Sequence, residues 1–152
     1  MNHIVDTLIE ERAEKLRRHP KLWALVQKYM YPVFGYKTAV DLVDHVQTMS
    51  GFEVFEHLSE MLAMRVQVEG IQHLPSTGRA VVMPNHPAGI ADGVAVFDAI
   101  KKVRPDVCFF ANRDAVRCHE RMDEILIPVE WMENKRSHAK SKETVRNMLR
   151  AF

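Results

Sequence analysis

The sequence predicts an α/β protein in which a helical segment precedes a mostly parallel sheet. Up to about residue 63, apolar residues recur at the three- and four-residue intervals of amphipathic helices. From residue 64, short apolar or alternating runs are separated by helical stretches. That order is typical of strands that pair in parallel through helical crossovers. We therefore divide the chain into residues 1–63 and residues 64–152.

Composition indicates an ordinary globular protein and argues against several classes of function. The chain has 152 residues, of which 47% are hydrophobic and 27% charged, enough for one domain. A formal net charge of +1 gives no argument for a nucleic-acid partner. The two cysteines, Cys108 and Cys118, lack the spacing of a disulfide framework or a zinc site, so we expect a reduced cytosolic setting with Cys108 in the core. We see neither a signal peptide nor a membrane-spanning run, and we expect any membrane contact to be peripheral.

Four helices are expected in residues 1–63. The first ends at His19-Pro20, because the residue before a proline avoids the helical region. The second runs from about residue 21 and stops at Pro32, and the others cover roughly residues 37–49 and 52–63. Around the second helix, aromatic residues lie near basic side chains, which suits a membrane interface and a helical core equally well: Trp23, Tyr29, Tyr31, Phe34 and Tyr36.

Basic residues form two groups, one near each end of the sequence. Either group could meet an anionic surface, but a solvated helix face is the simpler interpretation, and we favour it. The first group is Arg12, Lys15, Arg17, Arg18, Lys21 and Lys28, and the second is Lys135, Arg136, Lys140, Lys142, Arg146 and Arg150.

Residues 64–152 are predicted to alternate between strands and helices. Strands are expected at residues 65–69, 79–83, 107–111 and 125–131. The strands at residues 79–83 and 107–111 are apolar enough to be buried on both faces. In the strand at residues 125–131, Pro128 favours an edge position. Helices are expected at residues 93–102 and 140–152, with a loop and a short helix between residues 113 and 124.

The residues that carry chemistry lie between Val82 and Gly93. This segment places His86 at the end of a predicted buried strand and Asp92 at the start of the next helix, and Pro87 and Gly89 can fold the loop between them. The Asp92 carboxylate would then reach one ring nitrogen of His86 and leave the other free as a base. Because no serine, cysteine or lysine nucleophile lies beside the pair in sequence, direct attack by a substrate hydroxyl is favoured.

The same segment, Val-Met-Pro-Asn-His-Pro-Ala-Gly-Ile-Ala-Asp-Gly, resembles the first signature block of the 1-acylglycerol-phosphate acyltransferase superfamily. Most members have four residues between the histidine and the aspartate; the five found here resemble the hemolysin-like or ornithine-lipid acyltransferase subgroup. Phe110–Arg117 looks like the second block, and residues 65–78 and 125–131 are also similar to that subgroup. The resemblance covers roughly residues 65–152, and the helical start more weakly.

The resemblance implies an O-acyltransferase of membrane-lipid synthesis. His86, partnered by Asp92, would deprotonate a hydroxyl of a lysophospholipid or lyso-aminolipid, which attacks the thioester of acyl-CoA or acyl carrier protein. Arg113 would hold the acceptor head group, although an ion pair with Asp114 or Asp123 would give it a structural role instead. Neither metal nor cofactor is implied, and the protein is expected peripherally on the cytoplasmic face of the inner membrane.

Two further residues receive roles within this block. Asn85 would orient the loop or form a hydrogen bond near the base, and capping the turn is its structural alternative. Gly93 would let the helix begin close to the sheet and help to stabilise the oxyanion.

One part of the family pattern is missing. The third block, a strand followed by Phe-Pro-x-Gly, has no counterpart, so we expect a partial catalytic domain with little or no transferase activity by itself. A non-catalytic module that binds lipid or a membrane surface, and a hydrolase that transfers the acyl group to water, are the alternatives.

Overall fold

The computed structural model describes residues 2–152 as a mostly helical protein with a small parallel sheet. Within these residues the helices and strands are α1 (Ile4–Arg12), α2 (Glu14–Arg17), α3 (Pro20–Val33), α4 (Tyr36–Val46), α5 (Gly51–Leu62), α6 (Ile90–Ile100), β1 (Phe109–Asn112), α7 (Arg113–Cys118), β2 (Leu126–Val129) and α8 (His138–Ala151). Short 3-10 turns lie at Ile71–His73, Glu120–Glu124 and Glu133–Lys135.

Local sequence signals explain where α5 begins. The Ser50 hydroxyl accepts a hydrogen bond from the Glu53 amide at 3.2 Å, and the Glu53 carboxylate accepts one from the Ser50 amide at 2.6 Å. This reciprocal capping box satisfies amide groups that a helix start leaves without partners. Gly51 is required by close packing, because a Cβ there would lie 2.8 Å from the Arg121 carbonyl oxygen.

The second helix does not stop at Pro32 as predicted, and it extends two residues beyond its predicted last residue, Tyr31. Helix α3 includes Pro32 and ends at Val33. A proline in the last turn removes one backbone hydrogen bond, and this loss is small when little helix follows it.

The hydrophobic core joins α5, α6 and the two strands. Phe97 and Val94 on α6 are fully buried. The Phe97 ring lies 5.2 Å from that of Phe55 on α5, and Phe55 stacks on Phe109 of β1 at 5.0 Å. The division near residue 63 stays a prediction, and helices from both sides of it contribute to one core.

The sheet confirms the mixed α/β class and the parallel pairing in part. Strands β1 and β2 are parallel, with Phe109 opposite Leu126 and Asn112 opposite Val129. The first three residues of β2 are buried. Strand β2 lies inside its predicted segment, and β1 overlaps its predicted segment but ends one residue later, at Asn112. Helices α6, α7 and α8 lie close to their predicted positions.

The other two predicted strands are absent from residues 2–152. Residues 65–69 and 79–83 are assigned to no strand, and both stretches are largely exposed, with Met83 89% accessible. Alternating or apolar sequence favours an extended backbone, but a strand also needs a hydrogen-bonding partner that no short segment specifies. The prediction that Cys108 is a core residue is also wrong, because its side chain lies on the exposed side of the chain leading into β1.

A cluster of ion pairs holds α1 against the later part of the chain. The Glu11 carboxylate accepts hydrogen bonds from Arg117 at 2.7 Å and from Lys135 at 2.6 Å. These bonds, with Arg117 contributing most, lower the pKa of the Glu11 carboxyl from its ordinary 4.5 to about 2. The ionised carboxylate is therefore favoured by folding.

The contribution of Glu11 to stability should depend on pH. Because folding lowers the pKa, the stabilisation is complete above about pH 4.5 and is lost as the pH falls towards 2. Glu11→Gln should lower the free energy of unfolding by about 1 kcal/mol at pH 7, since partly exposed ion pairs are weakened by solvent, and the deficit should shrink towards pH 2. Urea unfolding at several pH values measures this loss of unfolding free energy, with Glu60→Gln as an exposed control on α5. A deficit that does not change with pH would contradict the assignment.

Candidate functional site

The loop between His86 and Asp92 is folded back by one glycine. Gly89 has φ +66° and ψ −124°, a conformation that side chains with a Cβ rarely adopt. Helix α6 begins at the next residue, Ile90, so Asp92 lies in its first turn, where a carboxylate also interacts favourably with the helix dipole. Gly89 lies at the turn of this loop, and Asp92 lies inside α6, which begins three residues before the predicted start at Gly93.

This turn brings the two predicted catalytic side chains together. Nδ1 of His86 lies 3.4 Å from Oδ2 of Asp92. The same carboxylate oxygen accepts a hydrogen bond from the Ala88 amide at 2.7 Å, which fixes the Asp92 side chain. The His86–Asp92 separation is longer than the roughly 2.6–3.2 Å of a formed catalytic hydrogen bond, and such contacts commonly shorten when a substrate binds.

His86 lies in a more open setting than the sequence predicts. The residues before it form no strand, so it does not follow a buried strand as predicted, and its side chain is 55% exposed. Asp92 is 23% exposed. Among the hydrogen bonds and ion pairs of residues 2–152, Asp92 is the only partner of His86. Nε2 is therefore free to accept a proton from a ligand or from water.

Arg113 is held by a residue that sequence reasoning missed. It is the first residue of α7, which Asn112 caps by accepting a hydrogen bond from the Asp114 amide. The Arg113 guanidinium donates to Glu143 of α8 at 2.8 Å, and not to Asp114 or Asp123 as the structural alternative predicted. No sequence pattern links Arg113 to a carboxylate 30 residues away, because that contact depends on how α8 packs.

A cleft of about 420 Å³ lies next to Arg113, between α7, β2 and α8. We expected Arg113 to line the same cleft as His86, but the structure does not bring them together in this way. Neither His86 nor Asp92 lines this cleft. Its lining residues are Arg113, Val116, Arg117, Asp123, Pro128, Glu143, Arg146, Asn147 and Arg150.

For Asn85 and Gly93, the two remaining predicted site residues, residues 2–152 show no contact that supports a role in the site. Asn85 is exposed, and its side chain makes no hydrogen bond within residues 2–152. Gly93 is an internal residue of α6, and a Cβ there would meet nothing within 4 Å. The open surroundings of Gly93 therefore do not require a glycine there, and its role at the oxyanion stays a prediction.

The other histidines do not form a metal site. No group of three or more His, Cys, Asp or Glu side chains in residues 2–152 is arranged to hold a metal ion. His119 is buried and caps the 3-10 turn by accepting a hydrogen bond from the Arg121 amide at 2.9 Å. Its Nε2 lies 2.7 Å from the Val46 carbonyl oxygen, so His119 links that turn to the end of α4.

Comparison of the chain with protein-family models, curated proteins and solved structures finds no significant match. Membership of the acyltransferase superfamily is therefore a proposal. Among residues 2–152, no helix combines the length and the apolar character needed to cross a membrane.

Replacing Gly89 should disturb the His86–Asp92 pair. Gly89→Ala should cost about 1 kcal/mol of stability, because alanine is strained at positive φ, and should displace Asp92 from the Ala88 amide. Amide chemical shifts measure the second effect: the Ala88 signal should move towards its position in Asp92→Asn. Gly78→Ala is the matched control, since Gly78 also has positive φ (+79°) and open surroundings. An Ala88 signal that moves no more in Gly89→Ala than in the control would contradict this role.

Proposed function

We propose that the protein takes part in acyl transfer from a thioester, acyl-CoA or acyl carrier protein, to a hydroxyl of a lysophospholipid or lyso-aminolipid. The observation that carries the proposal is the approach of Asp92 to Nδ1 of His86, with Nε2 left free. The similarity of the surrounding residues to the acyltransferase signature supports the choice of reaction.

In the proposed reaction each group has one step. Nε2 of His86 removes the proton of the acceptor hydroxyl while its oxygen bonds to the thioester carbonyl carbon. The tetrahedral intermediate then expels the thiolate, which takes the proton back from His86. Asp92 stabilises the imidazolium between these steps, and the Ala88 amide keeps the carboxylate in place. The head-group contact of Arg113 stays a prediction, and the Glu143 ion pair gives that residue a structural role.

An acceptor of this kind lies in a membrane, and α3 has a surface suited to reach one. Helix α3 buries none of its residues in the protein. Leu22, Leu25, Tyr29 and Val33 fall on one face at helical spacing, and each is exposed, Val33 by 80%. A contiguous exposed apolar surface of this type marks a site of membrane or protein contact.

Basic side chains border this apolar face. Lys28 lies with its Nζ 5.3 Å from the centre of the Tyr29 ring, and Lys21 lies about two turns earlier on the same side of the helix. Lysines beside an apolar face suit an interfacial helix, because their stems can lie along lipid while their charges meet anionic head groups. We therefore propose a peripheral position on the cytoplasmic face of the inner membrane, with α3 in contact with lipid.

The aromatic residues divide between the two roles that the sequence left open. Tyr31 stacks on Tyr36 at 4.5 Å and meets the edge of Trp23 at 6.2 Å, so these three rings pack on one another. Tyr29 is exposed and belongs to the apolar face. Tyr29 is thus the aromatic residue of the proposed lipid contact, whereas Trp23 and Tyr31 help to join α3 to α4.

Two observations favour the alternative functions. The exposure of His86 lets water reach Nε2, and activation of water in place of a lipid hydroxyl would make the protein a thioester hydrolase. The apolar face of α3 does not depend on His86, so a non-catalytic membrane-binding module is the other alternative.

The reaction can be identified from its products. With enzyme in excess over radiolabelled acyl-CoA and a lysophospholipid present, we expect slow formation of acylated lipid. His86→Ala should reduce its rate about 10²–10⁴-fold, the usual contribution of a general base, and His73→Ala should not. Labelled free fatty acid that requires His86 would favour the hydrolase. Product formation that His86→Ala leaves unchanged would refute the role of this pair.

Membrane contact through α3 can be tested separately. Leu25→Ser and Val33→Ser should each weaken binding to liposomes containing phosphatidylglycerol by about tenfold, because burial of a large apolar side chain contributes about 1.5–3 kcal/mol. Leu149→Ser is the matched control, since Leu149 is equally apolar and 67% exposed on α8. Co-sedimentation with liposomes measures the affinity. Equal weakening by all three substitutions would argue against a lipid contact through α3.

A further inference from the structure

The cleft beside Arg113 concentrates positive charge. Four of its lining residues are arginines and two are carboxylates, which leaves an excess of two positive charges. A cleft lined by an excess of one sign of charge focuses the electric field and raises the local concentration of counter-ions. A cluster of arginines around a cleft therefore favours an anionic ligand.

Two of the arginines are held in fixed orientations by carboxylates outside or at the rim of the cleft. Arg117 donates to Glu11 at 2.7 Å and to Asp114 at 3.0 Å, and Arg113 donates to Glu143 at 2.8 Å. The Arg113 Nε is buried and has no hydrogen-bond partner among residues 2–152. Such arginines are positioned before any ligand arrives, which lowers the entropy that binding would cost.

The other two arginines of the cleft lie on α8. Arg146 and Arg150 are four residues apart on α8, so they project from the same helix face into the cleft. Neither forms an ion pair within the part of the chain that the structure describes, and both are exposed. The C-terminal end of a helix favours a cation, which explains Arg150 but not the placement of Arg146 one turn earlier.

We propose that this cleft binds a multiply charged oxyanion, a phosphate monoester or a pyrophosphate, through the guanidinium groups of Arg146 and Arg150. A guanidinium presents paired N–H groups that match two oxygens of one phosphate. Asn147, on the same helix between the two arginines, adds an amide donor. A cleft of about 420 Å³ has room for a ligand larger than the phosphate group itself.

The proposed anion site goes beyond acyl transfer. His86 and Asp92 do not line the cleft, so the anion site can exist whether or not that pair is catalytic. The phosphate could belong to a soluble compound or to a lipid head group at the membrane surface. Both sources present the same oxygens to the arginines, and the experiment has an arm for each.

The first arm measures binding of inorganic pyrophosphate to the full 152-residue protein by calorimetry. We expect saturable binding that weakens as salt is added, because charged contacts are screened. Arg146→Gln and Arg150→Gln should each weaken it about tenfold, since both remove charge-assisted hydrogen bonds, and Arg146→Lys should restore part of the loss. Lys142→Gln is the matched control: it removes one positive charge from the same helix, but Lys142 does not line the cleft.

The second arm measures retention on vesicles of phosphatidylcholine with and without phosphatidic acid. Pyrophosphate binding that requires Arg146 and Arg150 supports a soluble ligand. Selective retention by phosphatidic acid that requires the same arginines, without pyrophosphate binding, supports a lipid head group. The proposal is overturned if neither ligand binds, or if Lys142→Gln weakens binding as much as the cleft variants do. All substituted side chains are exposed on α8, and circular dichroism verifies that each variant is folded.

Discussion

The burial of Phe97 against α5 and β1 is the contact on which the rest of the structure depends. Phe97 is fully buried and lies within ring contact of Phe52 and Phe55, and Phe55 in turn stacks on Phe109. Aromatic rings bury a large apolar area and prefer a few relative orientations, so they constrain neighbouring elements strongly. Through this group the start of α5, the whole of α6 and the small sheet keep a fixed relation, and α6 carries Asp92 at its exposed end.

That core positions only one half of the proposed catalytic pair. Asp92 belongs to the first turn of α6 and is held by the Ala88 amide, whereas His86 lies on an exposed loop that no strand supports. The His86–Asp92 contact at 3.4 Å thus depends on the turn at Gly89 more than on tertiary packing. A base that is positioned by a local turn can be formed on a simple scaffold, but water reaches it as easily as a lipid hydroxyl does. The geometry therefore permits both acyl transfer and hydrolysis, and only the reaction products distinguish them.

Electrostatics organises the surface in two ways. Around Glu11, opposite charges pair and join α1 to α7 and to the 3-10 turn before α8. In the cleft beside α8, arginines exceed carboxylates, and two of them have no counter-charge in the described chain. Arg117 belongs to both groups, so its orientation in the cleft is set by the same contacts that hold the N-terminal helix. Of the basic residues near the end of the sequence, Lys135 and Lys140 form ion pairs, whereas Arg146 and Arg150 are exposed, as a solvated helix face predicts.

The sequence by itself determined the helices, the two paired strands and the His86–Asp92 contact, because each depends on local signals: apolar periodicity, the Ser50 cap, and the glycine between the two catalytic candidates. Tertiary structure decided what those signals cannot specify. Residues 79–83 have strand-like composition, yet they are exposed and unpaired, since a strand exists only with a partner. Likewise the contact between Arg113 and Glu143, and the clustering of Arg146 and Arg150 beside Arg117, arise from the packing of α8 against the strand before it. Contacts between residues that are distant in sequence follow from packing, and no local pattern encodes them.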